Sequence, residues 1–345
     1  MKNILQDLSF DEIVVDMQKY SQPKYRAEQV YQGLMHGNCI SSIPTISKEL
    51  KQLLLNDFED APLSIIKSIV GKDQTTKFLF KLSDNNIIEG VLLKYKYGYT
   101  LCISTQVGCR MGCKFCASTL NGLVRNLTCG EMLMQVVSAN KHLSGGLGDK
   151  RKITNIVLMG SGEPFDNYEN VTKFFKLVGD ERGLGISQRN ISVSTCGLCE
   201  SMQKLADDGF AVTLTISLHA PTDEIRRQTM PIANLYTIAQ IIKSANYYFN
   251  KTGRRIIFEY ALIKDVNDSF ECAKILSEKF KNLTCHFNII PLNDVEERNL
   301  EGAGRKRAYA FAQKLTDLGM SATVRRTMGE DVGGACGQLR NSYID

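Results

Sequence analysis

The sequence predicts an α/β protein built around a partial (βα)6 TIM-like barrel, preceded by a small helical N-terminal segment and a short β extension. Three observations lead there. Beyond residue 100, apolar β-rich runs give way to helical stretches six times in succession. That uniform alternation implies a parallel sheet with crossover helices. Polar and sulfur-bearing residues then recur just after the apolar runs, at the strand ends where such barrels gather their chemistry.

The elements follow in chain order. Residues 1–65 read as a helical accessory segment: 10–17 and 25–36 place apolar residues at helical spacing, with Pro23 and Pro44 as breaks. Residues 66–94 read as a β extension, with a turn at Ser83–Asn86 between two β-rich runs. The barrel core is expected over 95–331, its strands near 100–105, 154–160, 190–195, 211–218, 255–263 and 286–292. Its helices are expected near 130–143, 170–178, 200–208, 238–249, 270–280 and 306–319. Residues 332–345 are left as a C-terminal loop.

Composition narrows the function. The chain has 345 residues, 43% of them hydrophobic and 23% charged, in the range of soluble globular proteins. No apolar run approaches the roughly 18 residues that span a bilayer. The first 20 residues carry acidic groups where a signal peptide is basic and then apolar, so a cytoplasmic, bacterial protein is expected. Eleven cysteines, an odd number at irregular spacing, argue for metal or redox chemistry rather than a disulfide framework. The net charge of +5 permits an acidic partner such as RNA without requiring one. Basic groups occur at Lys150–Lys152, Arg226–Arg227, Arg254–Arg255, Arg305–Arg307 and Arg325–Arg326. Such groups neutralise phosphates when they are not simply solvated surface.

The densest chemistry lies after the first barrel strand, where Cys109, Cys113 and Cys116 share one loop. Thiolates suit zinc or iron–sulfur clusters. Structural zinc takes four ligands, usually in paired Cys-x-x-Cys form. A triplet spaced four and then three residues apart supplies three, which suits a cubane cluster with one iron left open. A zinc knuckle recruiting Cys102 or Cys129 as fourth ligand is the alternative. Phe115 is expected to shield the metal from water.

The pattern Cys-x-x-x-Cys-x-Phe-Cys resembles the signature of the radical S-adenosylmethionine superfamily. The resemblance implies one [4Fe–4S] cluster held by the three cysteines. It also implies S-adenosylmethionine on the open iron, cleaved by electron transfer to an adenosyl radical. On that reading Gly162 and Glu163 of Ser-Gly-Glu-Pro meet the methionine moiety, the glycine by close backbone approach and the carboxylate by accepting from the ammonium. Ser194, Ser217, Leu218, His219 and Asn293, all at strand ends, are the further cofactor contacts.

Within that superfamily the chain resembles the RlmN/Cfr group of RNA methyltransferases. The blocks are IIEGV at 87–91, LCISTQVGCRMGCKFCAST at 101–119, LMGSGEP at 158–164, SVSTCG at 192–197, SLHAPTDEIRRQTMPI at 217–232, FNIIPLN at 287–293 and ACGQL at 335–339. The reaction the resemblance implies puts a methyl group on carbon 2 of adenosine 2503 in 23S rRNA and of adenosine 37 in some tRNAs. An amidine carbon of adenine is electron-poor and has no lone pair to attack a sulfonium methyl group, so a carbon radical is a sensible route. The resemblance makes Cys336 the methyl carrier, Cys102 the thiol that releases product through a transient disulfide, and Glu89 the proton acceptor. The resemblance further implies two S-adenosylmethionine molecules per turnover, a flavodoxin-like reductant and a monomeric enzyme. Gly90 and Gly333–Gly334 depart from the group's pattern without removing a reactive group. A carbon-8 subgroup tends to carry Cys at the position of Val107 and Ala at that of Pro164, so the residues here favour carbon 2. A radical enzyme on a non-RNA substrate and a zinc RNA-binding protein are the other readings. Cys39, Cys129, Cys196, Cys199, Cys272 and Cys285 are expected to be structural.

Overall fold

In a computed structural model, which describes residues 2–293, 295 and 297–339, three helices open the chain. They are α1 (Phe10–Lys19), α2 (Lys24–Met35) and α3 (Lys48–Asp57). Ser9 and Glu12 form a reciprocal capping box at the start of α1, and Ser47 caps α3. An antiparallel meander follows: β1 (Leu63–Val70), β2 (Thr76–Leu82), β3 (Ile87–Tyr95) and β4 (Gly98–Cys102). A two-stranded hairpin, β5 (Gln106–Gly108) and β6 (Leu123–Asn126), frames the cysteine loop.

The remainder alternates as α4 (Cys129–His142), β7 (Ile153–Leu158), α5 (Tyr168–Val178), β8 (Ile191–Thr195), α6 (Cys199–Asp207) and β9 (Thr213–Ser217). It continues through α7 (Asp223–Thr229), α8 (Ile238–Thr252), β10 (Ile256–Leu262), α9 (Phe270–Phe280), β11 (Cys285–Pro291), α10 (Gly304–Asp317) and β12 (Ala322–Val324). One ten-stranded sheet runs β1-β2-β3-β4-β7-β8-β9-β10-β11-β12. From β4 onward every neighbouring pair is parallel. All six expected strands and all six expected helices are present.

Three features differ from the sequence reading. The β extension is continuous with the barrel sheet, because β3 pairs with β4 while β4 pairs in parallel with β7. β1 begins at Leu63, inside the stretch read as helical. A register shift between Ile65 and Lys67 breaks the apolar alternation that marks a strand. The short elements β5, β6, α7 and β12 add to the expected set.

Burial explains the order. Ile153, Ile156, Leu158, Ile191, Val193, Leu214 and Ile216 are all buried, as strands covered on both faces require. The capping box Thr128–Glu131 starts α4, and Thr237–Gln240 starts α8. The N-terminal segment docks on the outer side of α4. The Asp7 carboxylate accepts from the Gly130 amide at 2.6 Å, and Lys141 Nζ donates to the Gly37 carbonyl at 2.8 Å. Among the described residues no helix is long and apolar enough to cross a membrane.

Candidate active site

Two adjoining cavities open at the C-terminal ends of the parallel strands. The first, with an open volume of about 930 Å³, is lined by Cys109, Cys113 and Cys116 on one side. Opposite them stand Gly162 and Glu163 after β7, Ser194 at the end of β8, Ser217 and His219 around the end of β9, and Asn293 after β11. Residues far apart in sequence therefore converge on the triad in one open cleft. Leu218 is the exception. Its side chain is in the apolar core, and only its backbone serves the site, through an amide that donates to the Glu259 carbonyl at 3.1 Å.

The cysteine loop is held by backbone bonds. The Cys109 amide donates to the Gly122 carbonyl at 2.9 Å, and the Thr119 hydroxyl donates to the carbonyls of Cys113 and Cys116 at 3.1 and 2.9 Å. Burial pushes the Cys109 thiol up to about 12 and raises Cys113 and Cys116 as well. These thiols are neutral when bare, and a metal that binds them displaces their protons. Among the described residues no three His, Cys, Asp or Glu converge tightly enough to surround a single metal ion. A cubane makes no such demand, since each cysteine binds a different iron. Neither Cys102 nor Cys129 lines the triad's cavity, and the Cys129 thiol instead lies 3.3 Å from the Asp7 carboxylate. An all-sulfur donor set facing an open cleft fits an iron–sulfur cluster.

Glu163 is buried beside the triad. Its carboxylate accepts from the Cys196 amide at 2.7 Å and the Phe165 amide at 3.1 Å. Burial raises its carboxyl from the usual range while these amides pull it back. Gly162 has φ +110°, and a Cβ there would stand 2.7 Å from both Thr105 Oγ1 and Gln106 Cβ. Glycine is thus required by packing against the β5 strand, in addition to any ligand. His219 is also forced into the left-handed region, at φ 54°. Its Nδ1 accepts from the Ala261 amide at 2.9 Å, which places the ring proton on Nε2. Burial, reinforced by the Arg226 charge, pushes this imidazole down to about 3. Phe115 packs edge-on against the His219 ring at 4.7 Å and lines the cavity.

The second cavity is lined by Cys102, at the end of β4, and by Cys336. Met159, Ile290, Asn293, Arg325 and Cys336 line both cavities, so Cys336 stands at their boundary. Asn293, expected to touch cofactor, also donates through Nδ2 to the Cys336 carbonyl at 3.1 Å. Burial first, then the facing Cys336, pushes the Cys102 thiol up to about 12, and Arg325 opposes that rise. Glu89 lies outside both linings. It is buried and ion-paired with Lys77 at 2.7 Å, and Lys77 Nζ also donates to the Gly333 carbonyl at 3.2 Å. Gly90 beside it has a local reason: a Cβ would stand 2.8 Å from the Phe80 ring.

Four participants escape a sequence reading. Arg325, counted there among phosphate-binding pairs, is drawn inward, its guanidinium raised by the charge of Cys336 and ion-paired with Glu259 at 3.4 Å. Arg226, from another such pair, is fully buried and donates to the carbonyls of Cys196, Leu218, Ser217 and Tyr236, bracing the ends of β8 and β9. Cys196, read as structural, lines the first cavity and packs on Cys113. Lys77 is the fourth. No local pattern distinguishes these residues from surface lysines and arginines or from a core thiol.

Residues 103–302 match the family described as the Radical SAM superfamily. The chain is 49% identical over 345 residues to a probable dual-specificity RNA methyltransferase RlmN of Lachnospira eligens, covering 99% of this chain and 97% of that one. It is 48% identical over 347 residues to the protein of the same description from Clostridium novyi, covering 100% and 99% of the two chains. A crystal structure of a radical SAM methyltransferase from Sphaerobacter thermophilus superposes with a TM-score of 0.93 at 38% identity, covering 98% of this chain and 99% of that one.

Proposed function

The chain belongs to the radical SAM superfamily and, within it, to the RlmN dual-specificity RNA methyltransferases, and from that premise we propose that it methylates carbon 2 of adenosine in 23S rRNA and in tRNA. The observation that most supports this is the position of Cys336, on the boundary between the cavity of the cysteine triad and the cavity of Cys102. A carrier thiol must face a radical source in one step and a resolving thiol in another, and that boundary is where one side chain meets both.

The cluster bound by Cys109, Cys113 and Cys116 would supply the electron that cleaves S-adenosylmethionine and yields a carbon radical. Glu163, Gly162, Ser194, Ser217, His219 and Asn293 line the space for that molecule. His219, held neutral and donating from Nε2, presents a hydrogen bond without a charge. Cys336 would take a methyl group from a first S-adenosylmethionine, losing its thiol proton and leaving S-adenosylhomocysteine, and would then give up one hydrogen atom of that methyl group to the adenosyl radical from a second. The resulting carbon radical joins carbon 2 of the base; the adduct would return its unpaired electron to the oxidised cluster and lose its ring proton to Glu89, which stands outside the cavity linings paired with Lys77. The Cys102 thiolate then attacks the Cys336 sulfur, so that the carbon–sulfur bond breaks as the disulfide forms and the released carbon takes up a proton to become the methyl group. Arg325, whose charge opposes the rise of the Cys102 thiol, favours the thiolate this step needs. The N-terminal helices supply an RNA-docking surface, and a reductant resets the disulfide.

Mass spectrometry of adenosines from rRNA and tRNA of a deletion strain tests the reading. Loss of 2-methyladenosine from both is expected, and loss of 8-methyladenosine, or of neither, overturns it. In vitro, the Cys336→Ala protein is expected to cleave S-adenosylmethionine under reduction and to make no methyladenosine.

A further inference from the structure

One face of β3 lines the Cys102–Cys336 cavity through Val91, Leu93 and Tyr95, the alternate residues that a strand puts on one side. Tyr97, two residues further on in the tight turn to β4, continues that row out of the cavity. Its ring stacks on Tyr95 with centroids 5.0 Å apart and planes within 6°. Tyr97 is 64% exposed, so the stack has one covered face and one open face. At the inner end, Tyr95 lies close enough to Arg325, Cys336 and Arg326 for their charges to act on its hydroxyl. Lys96 at the hairpin tip is exposed, as is Arg326, which lines the same cavity from beyond β12.

We infer that this hairpin is a stacking platform for RNA, in which the open face of Tyr97 takes the base of an unpaired nucleotide next to the one that enters the cavity. The inference rests on the RNA-methylation reading. An aromatic ring accepts any base on its π-face, and cations beside it hold the flanking phosphates. A base drawn from its stack into the cavity leaves its neighbour exposed, and Tyr97 supplies a replacement surface at the mouth. Arg326 and Lys96 sit where that neighbour's backbone would pass. Tyr95 links platform to thiols, since the same ring that backs Tyr97 also lines the wall beside Cys336.

The chain contains no tryptophan, so Tyr97→Trp installs a single indole reporter on the platform. Tyr309→Trp on α10, also 64% exposed, is the control. The probe is a synthetic RNA stem-loop with an unpaired adenosine in its loop, added to the anaerobic holoenzyme. Saturating RNA is expected to quench emission at position 97 by about half or more and to leave position 309 unchanged. Tyr97→Ala is expected to raise the KM for RNA by about tenfold with little change in kcat, while Tyr97→Phe keeps the wild-type value. Unquenched emission at 97 with RNA bound, or an unchanged KM in Tyr97→Ala, overturns the platform and leaves the methylation reading standing. A wild-type enzyme that neither binds this RNA nor makes methyladenosine overturns both.

Discussion

The two cavities share five lining residues and are built in opposite ways. The first takes its sulfur from one loop: Cys109, Cys113 and Cys116 lie within eight consecutive residues, held by bonds inside that loop, to Gly122, and from the Lys114 amide to the Thr229 carbonyl. The second takes its sulfur from two ends of the fold. Cys102 closes β4, Cys336 follows β12, and what brings them together is the course of the whole sheet. A metal site needs several donors at fixed spacing, which a loop can encode by itself. A resolving pair needs only proximity, which belongs to the tertiary structure.

The sharpest way to break this contrast is to remove one thiol from each cavity. Cys113→Ala is expected to lose the iron, and with it both S-adenosylmethionine cleavage and methylation, as iron analysis and product assays would record. Cys102→Ala is expected to keep the iron and the cleavage, to stop turnover, and to accumulate RNA covalently joined to Cys336, visible as a mass-shifted band on denaturing gels. Iron retained in the first variant, or product released at the wild-type rate by the second, erases the division of labour.

A smaller effect is expected where the cavities meet. Arg325→Gln removes the cation that opposes the rise of the Cys102 thiol, so its alkylation by iodoacetamide should slow at a given pH. The pH profile of that labelling should move upward. An unmoved profile would reduce Arg325 to a partner of Glu259.

The smallest concerns the wall of the first cavity. His219 is held near 3, whereas in the unfolded chain it takes up a proton at about 6.5. Between these values the unfolded state binds more protons than the folded one, so stability falls as pH drops through about 6.5, and the loss is complete below about 3. The urea midpoint of the wild type should therefore decline more between about pH 7 and pH 5 than that of His219→Gln. Parallel declines would show that the buried imidazole is not what couples folding to acid.

How much of this is legible in the sequence follows from the same contrast. The six βα units show because each strand and helix carries its own period, and the triad shows because its spacing is local. β1 is hidden by its bulge, which sets Ile65 and Ile66 side by side and removes the alternation. Arg226 and Arg325 are misread for a different reason. A basic pair looks like surface in any window of sequence, and only the packed fold reveals carbonyls converging on one and thiols on the other. Cys102 and Cys336 are legible only through the family resemblance, since neither has a local signature. Glu89 is found the same way, but its pairing with Lys77 is not.

The segment carrying Cys336 is tied down along its length. Asp73 accepts from the Gly329 amide, Asp331 from the Lys72 amide, Lys77 donates to the Gly333 carbonyl, the Ala117 amide donates to the Gly337 carbonyl, and the Ser118 hydroxyl donates to the Leu339 carbonyl. All its partners come earlier in the chain, two of them just past the triad. During synthesis the ribosome therefore delivers the triad loop long before the strap that covers it. A nascent chain exposes the three thiols before the segment that carries Cys336 to the edge of their cavity has been made.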